Sequence, residues 1–355
     1  MRFTYTALPG RVVFGLGVLA SLPDEVTLLG AKRALVLCTP GHKALGQRAA
    51  DLLGERAVGI FARAVMHVPS ETANAAVELA SSSGADLCVA IGGGSTTGLA
   101  KAVALLSGLP ILTVPTTYAG SEMTPTWGLT EGGVKRTGRD QRVLPRTTLY
   151  DPELTLSLPP ALSATSGMNA IAHCVESLYS DKANPLISLM AEEGIRALGR
   201  SLPRIVRQPN DLEARSDALQ GAWLAGITLG SVGMALHHKL CHTLGGTFNL
   251  PHAQTHTIIL PHAMAYNAQA APEAMSRVAR ALGATDGVRG IVDLIAAIGA
   301  PTALKDIGMP EAGIEQAAEL ATTNPYYNPA PVEKSALRRL LRNAYDGREP
   351  EAYRS

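Results

Sequence analysis

Several things the chain lacks narrow its function before anything it contains does. No Cys-x-x-Cys pair occurs, which removes zinc-ribbon and thioredoxin-type chemistry. The four cysteines, Cys38, Cys88, Cys174 and Cys241, stand singly and mostly inside apolar runs, as buried thiols of a reducing compartment do. Aromatic residues supply only 4% of the 355 positions, so the core must come from aliphatic side chains, chiefly Ala and Leu. Neither sign of charge dominates: 31 Lys and Arg against 30 Asp and Glu leave a formal +1. The absence of a long basic cluster argues against nucleic acid as the main partner, although a local basic pocket for an acidic small molecule is compatible with that balance. The opening "MRFTYTALPG" lacks the apolar core of a signal peptide. The run "AVALLSGLPILTVP" is broken by Gly and Pro before it could span a bilayer. A cytoplasmic protein with no membrane partner is expected.

What is there begins with alternation. "RALVLCT" (33–39) reads as a buried strand, followed by a turn at "PGHK" and a helix near 43–54. "AVGIFARAV" precedes "PSETANAAVELASSSGAD", a helix with Ser70 as N-cap and Gly84 at its end. "LCVAI" runs into "GGGSTTGLAKAVALLSG", and "PILTVPTT" follows. Strands alternating with helices predict a parallel sheet covered on both faces. "GLTEGGVKRTGRDQRVLP" reads as a surface hairpin around a Gly-containing turn, and "TTLYDPELTLSLPP" as a last strand with Pro-Pro at its exit. Beyond that point the pattern is helical, with starts near Thr165, Leu186 and Leu212 and later near 272, 288, 311 and 332. The expected organisation is therefore an α/β domain over 1–155 and an all-α domain over 156–355, with the boundary between Asp151 and Pro160.

Two loops could bind a nucleotide. In "LCVAIGGGSTTGLAKAV", Gly92, Gly93 and Gly94 let backbone N–H groups approach a pyrophosphate, and a helix starting at Thr96 would add its positive dipole end. The spacing is neither G-x-G-x-x-G nor a P-loop, so a tight strand-to-helix turn with no ligand stays open. The second loop, "VPTTYAGSE" (114–122), carries Thr116, Thr117 and Ser121. Both would leave the carboxyl ends of neighbouring strands, where open parallel sheets bind ligands. Taken together, Gly93, Gly94, Ser95, Thr96, Thr116, Thr117 and Ser121 are the expected cofactor contacts.

Six of the nine histidines fall between 237 and 262: His237, His238, His242, His252, His256 and His262. On a helix His238 and His242 share a face and His237 is rotated away by about 100°. "LGG" (244–246) would end that helix and "LPH" (250–252) would start another with Pro251 at its first position, returning His252 toward His238. A cluster at these spacings favours function for His238, His242 and His252, by metal ligation or acid–base chemistry; His237 and His262 read better as structural. "SGMNAIAHCVE" (166–176) adds Asn169 and His173 on one helical face, each of which alone would read as a core hydrogen-bonder.

These motifs together resemble the iron-containing alcohol dehydrogenases, and within that group the maleylacetate reductases. The resemblance runs nearly end to end, from "RVVFGLG" (11–17) through "MHVPSE", "IGGGSTTGLAK", "VPTTYAGSEMTPTWGLT", "GMNAIAHCVE" and "LHHKLCHTLGGTFNLPH" to "TTNPYYNPAPV". It implies the dehydroquinate synthase-like fold: an N-terminal dinucleotide-binding domain, a helical C-terminal domain, and an active site in the cleft between them. It also implies homodimers. In the metal-dependent branch "GMDAxxH" supplies an aspartate and a histidine, and two histidines fourteen apart complete the site. Here His173, His238 and His252 occupy the histidine positions while Asn169 replaces the aspartate. A neutral amide is a poor ligand for a divalent ion; three histidines can still hold Zn²⁺, but the resemblance implies catalysis without a metal. "HHK" stands where the alcohol branch has "HGM", and Gly98 stands where the glycine motif usually has Asp. The first strand ends in "LCTPGH" without a carboxylate to repel a 2′-phosphate, so NADH or NADPH is expected.

The implied activity is reduction of maleylacetate, a dicarboxylate with a carbon–carbon double bond conjugated to a ketone, to 3-oxoadipate. On that reading His242 is the general acid, with His238, His252 and His173 binding the enolate or a carboxylate. Asn169 donates an amide hydrogen bond; Lys239 either pairs with a substrate carboxylate or is a solvated surface lysine, and Tyr326 either closes over the substrate or, the better reading of the residue alone, packs its own loop. The rivals are a metal-dependent alcohol or polyol dehydrogenase of the same fold and a non-catalytic nucleotide- or metal-binding protein.

Overall fold

The computed structural model describes residues 3–8 and 10–353. It divides into two compact units, Ala7–Leu158 and Met1–Thr6 with Pro159–Ser355. The first unit runs β1 (Arg11–Phe14), α1 (Leu22–Leu28), β2 (Ala34–Leu37), α2 (Lys43–Leu53), β3 (Ala57–Phe61), α3 (Ser70–Ser82), β4 (Leu87–Gly92), α4 (Gly94–Ser107) and β5 (Ile111–Pro115). The hairpin β6 (Thr126–Glu131) and β7 (Val134–Arg139) follows, then β8 (Thr147–Tyr150). Six strands pair in the order β1-β8-β5-β4-β2-β3, all in parallel. Strands β2, β4 and β5 are buried at every residue, which is why they read as unbroken apolar runs. Side-chain alternation divides their burial: Val36, Val89, Ile91 and Val114 pack with α1 and α2, while Leu35, Cys88, Ala90 and Ile111 pack with α3 and α4. The hairpin turns on Gly132 and Gly133, both at positive φ, the backbone a two-residue turn of matching twist requires.

The second unit is built from α5 (Pro160–Leu178), α6 (Pro185–Arg207), α7 (Leu212–Ser231), α8 (Leu236–Phe248), α9 (His252–Asn267), α10 (Pro272–Leu282), α11 (Gly287–Ala297), α12 (Gly313–Thr322) and α13 (Lys334–Asp346). Helix α5 is its spine, buried almost throughout from Ser163 to Leu178. Helices α6 and α7 cross closely because a Cβ at Gly221 would lie 3.1 Å from the Gly194 carbonyl oxygen. Helices α8, α9, α12 and α13 share an aliphatic core. Asn184, Asp211 and Asp286 cap α6, α7 and α11 by accepting backbone N–H groups two or three residues inside each helix.

Several expected boundaries move. Ser70 is the first residue of α3 and Pro69 its N-cap, with no side-chain cap bond. Helix α4 starts at Gly94 rather than Thr96. Helix α5 starts five residues before Thr165, at Pro160, since proline presets the φ of a first helical turn. Most consequentially, the glycines at 245 and 246 do not end α8. It continues to Phe248 and stops at Asn249, whose left-handed φ of 53° closes it. Pro251 is then the N-cap of α9, and His252 its first residue. Among the described residues no single helix is long and apolar enough to cross a membrane. All four cysteines are free and buried.

Candidate active site

In the α/β unit the two loops leave adjacent strand ends, as expected. Gly92 of β4 is in register with Pro115 of β5, and the Thr116 N–H donates to the Gly92 carbonyl at 3.1 Å. Gly93 is the N-cap of α4 without a side-chain cap bond, leaving the first-turn N–H groups of Gly94 and Ser95 uncapped by any side chain. A Cβ on Gly93 would sit 2.8 Å from the Thr117 methyl, and one on Gly92 would sit 2.5 Å from Thr96 Oγ1. The hydroxyls of Thr96 and Thr116 are buried without a partner. A glycine cradle, an uncapped helix start and two orphaned hydroxyls together fit a pyrophosphate. At Gly98 a Cβ would meet a Val68 methyl at 2.9 Å, so the departure from Asp is filled by Val68, itself held at a φ of 47°.

A buried lysine secures the second loop. Lys101 on α4 is 1% exposed, and its ammonium donates to the carbonyls of Ser121 (2.6 Å), Thr124 (2.8 Å) and Thr126 (2.8 Å) and to Thr124 Oγ1 (2.9 Å). Burial pulls it down to about 7 while the Glu122 carboxylate pushes the other way. The four oxygen acceptors decide for the charged form, since a neutral amine has only two N–H groups to give. Glu122 is itself buried and accepts the Tyr150 hydroxyl at 2.8 Å.

In the helical unit α5, α8 and α9 bring the histidines together. The His173 and His238 rings stack at 5.0 Å between centroids. His238 lies 6.0 Å from His242 and 4.9 Å from His256. His252 lies 6.4 Å from His242 and 4.2 Å from His256. The cluster is graded by depth: His173, His237, His238 and His256 are buried, whereas His242 and His252 are exposed. Burial holds His173, His238 and His256 well below the ordinary imidazole value, and His237 at about 4, so these four are neutral at neutral pH. Asn169, one turn before His173 on α5, presents a buried Oδ1 without a partner. The same holds for His173 Nδ1, His238 Nε2 and the Tyr326 hydroxyl. Lys239 donates to the Thr323 carbonyl at 2.9 Å and lies 5.6 Å from the Tyr326 ring. The segment carrying Tyr326 is anchored by Asn328, whose amide exchanges two hydrogen bonds with Asn267 of α9.

Sequence reasoning passed over two residues. Glu176, fully buried on α5, accepts the backbone N–H groups of Ala235 (2.8 Å) and His237 (2.7 Å) and the Nδ1 of His238 (2.8 Å). Its signal was a carboxylate three residues after His173 in an otherwise apolar helix. His256 sits at the centre of the cluster with both ring nitrogens unpartnered; its signal was the spacing from His252, the same four residues that separate His238 from His242. His237, by contrast, donates from Nε2 to the His256 carbonyl at 3.0 Å, in keeping with a structural role.

The donor set fits a divalent ion poorly. The amide of Asn169 brings no charge, and the buried carboxylate at the cluster, Glu176, already receives three N–H donors. Among the described residues the ligand atoms that converge tightly enough for an ion belong to Glu176, His237 and His238 or to His237, Cys241 and His256. Both sets include His237, and neither includes His173 or His252.

Known proteins resemble the chain along nearly its whole length. The iron-containing alcohol dehydrogenase model matches residues 9–152, and the C-terminal model of the Fe-containing alcohol dehydrogenase family matches residues 163–345. A maleylacetate reductase of Burkholderia cepacia is 60% identical, covering 98% of this chain and 99% of its own. One from Sphingobium indicum is 56% identical, covering 99% of both. The crystal structure of maleylacetate reductase from Agrobacterium tumefaciens is 49% identical, with a TM-score of 0.96 over 99% of this chain and 100% of that one.

Proposed function

Because the chain belongs to the iron-containing alcohol dehydrogenase family, we propose that it is an oxidoreductase of the maleylacetate reductase type, reducing maleylacetate to 3-oxoadipate with NADH or NADPH in aromatic catabolism. The observation that carries this reading beyond the family is the neutral Asn169 at the aspartate position, within a set of uncharged polar groups. Asn169 Oδ1, His173 Nδ1 and His238 Nε2 are buried and unpartnered, in a cluster where the Glu176 carboxylate is already occupied.

That donor set suits a conjugated ketone. The nicotinamide, when bound, supplies a hydride to the alkene carbon farther from the ketone. The double-bond electrons then move onto the ketone oxygen as an enolate, and the adjacent carbon must take up a proton. An enolate is far less basic than the alkoxide formed from an isolated ketone, so hydrogen-bond donors and a ring protonated for the reaction can stabilise it without a Lewis acid. His238, His173 and Asn169 are proposed to hold that oxygen or a neighbouring carboxylate. His242 and His252 are the exposed members of the cluster, and His242 is proposed to deliver the proton from solvent. Lys239 is proposed to pair with a substrate carboxylate beside Tyr326. The catalytic assembly is proposed to use no metal and to be a cytoplasmic homodimer. The test is oxidation of NADH and NADPH with maleylacetate, with and without chelator. Turnover unaffected by chelator is expected; full metal occupancy together with loss of activity on chelation would overturn the metal-free reading.

A further inference from the structure

We propose that Glu176 is the positioning residue for His238: it holds the proton on Nδ1, so that Nε2 is the atom offered to the substrate oxygen. This rests on the reaction proposed above. Glu176 Oε2 lies 2.8 Å from His238 Nδ1 and also accepts the Ala235 N–H, while Oε1 accepts the His237 N–H. Three N–H donors converging on two oxygens match an ionised carboxylate. Two of those donors are the uncapped start of α8, so the carboxylate is tied to the helix that carries His238 and cannot swing away from it. The carboxylate comes from α5, the same helix that stacks His173 on the His238 ring.

A second acceptor points the same way. His237 donates its Nε2–H to the His256 carbonyl at 3.0 Å, which leaves a lone pair on its Nδ1, 3.2 Å from His238 Nδ1. With a carboxylate oxygen and a lone pair both facing His238 Nδ1, that nitrogen carries the hydrogen. The opposite nitrogen, Nε2, is then an unprotonated, buried atom with no protein partner.

The assignment has a mechanistic consequence. In the resting site Nε2 is an acceptor and would repel an enolate. It becomes a donor only after taking a proton from bulk water, which stays on the ring through turnover, and the positive ring then lies against the Glu176 carboxylate. The proton on Nε2 is shared with the enolate oxygen as the double-bond electrons arrive there. No proton is consumed at this step; the one that ends on carbon comes separately from the general acid. Substitution by Gln breaks the arrangement by geometry. An amide has one acceptor oxygen, so its NH2 must face either a backbone N–H or His238 Nδ1, in the latter case driving the hydrogen to Nε2, and in either case no negative charge remains to pair with the protonated ring.

The test is 15N-histidine NMR of the full-length protein, with the His238 resonances assigned by their loss in His238→Asn, alongside kinetics of Glu176→Gln and Glu176→Asp. Expected are an Nδ1–H tautomer in the wild type and a fall in kcat of about 100-fold or more in Glu176→Gln. KM for NADH should be little changed, with partial recovery in Glu176→Asp, which keeps a carboxylate. An Nε2–H tautomer in the wild type, or kcat within about threefold of wild type in a folded Glu176→Gln, would overturn the proposal. If Glu176→Gln does not fold, the wild-type tautomer alone decides. Failure of the wild type to reduce maleylacetate would sink the proposed reaction, and the tautomer would still decide for or against Glu176 independently.

Discussion

Replacing Lys101 by Met removes one ammonium and leaves its four acceptors behind. Three are carbonyls of the segment Ser121 to Thr126, and the neighbouring Glu122 carboxyl, which burial already pushes up, loses its compensating charge. A hydrogen bond to a charged group contributes about 1.5–3 kcal/mol, but the four share one donor and do not add. Removing one member of a buried charged network costs about 3–5 kcal/mol in total, and methionine recovers only the packing of the stem. For a unit the size of Ala7–Leu158 that loss lowers the melting midpoint by about 6–20 °C. The freed segment joins directly to Thr116, Thr117 and Ser121, so NADH affinity should fall by roughly tenfold, about 1.4 kcal/mol. Thermal unfolding followed by circular dichroism, with NADH titration by fluorescence below the midpoint, reads both effects. A loss under about 1 kcal/mol with unchanged NADH affinity would show that water replaces the ammonium and that Lys101 does not organise the loop.

Three other expectations concern the helical unit. His242→Ala should lower kcat by about 100-fold or more with little change in stability, because the side chain is exposed; near-normal turnover would remove it as proton donor. Asn169→Asp restores a carboxylate beside His173, so the variant should retain a divalent ion through gel filtration, measured by mass spectrometry, where the wild type does not; a wild type carrying a full equivalent refutes the charge argument. Burial holds His262 at about 4 against an ordinary 6.5. Between those values the unfolded chain takes up a proton that the fold refuses, so stability falls as pH drops, by about 3 kcal/mol from this residue by pH 4. His173, His238 and His256 shift in the same direction and steepen the loss; a urea midpoint that stays flat from pH 7 to pH 5 would contradict it.

Local pattern was enough for the elements whose residues commit to a single period. The apolar runs of β2, β4 and β5, the Gly-Gly hairpin and the glycine cradle before α4 were all legible, because a buried parallel strand and a tight turn impose their composition residue by residue. Asn169, His173, His238 and His252 could be assembled by resemblance, and the missing carboxylate at Asn169 already argued about charge. Where the pattern misled, a local signal had a competitor: the glycines at 245 and 246 looked like a helix end, yet packing of α8 against α9 and α12 carried the helix on to Asn249.

The amino-acid sequence by itself therefore determined the alternation of strands and helices from β2 onward, the two loops at the strand ends and the identity of the histidine set, since each is a matter of residue type and spacing; β1 and α1 carried no such pattern. Only the tertiary structure decided depth and partnership. It buried His173, His237, His238 and His256 while exposing His242 and His252, set His256 at the centre, and put Lys101 under the second loop. It also brought Glu176 from α5 to the start of α8, some sixty positions away. Those outcomes depend on which helices meet, and burial and hydrogen-bond partners belong to the meeting rather than to either helix alone.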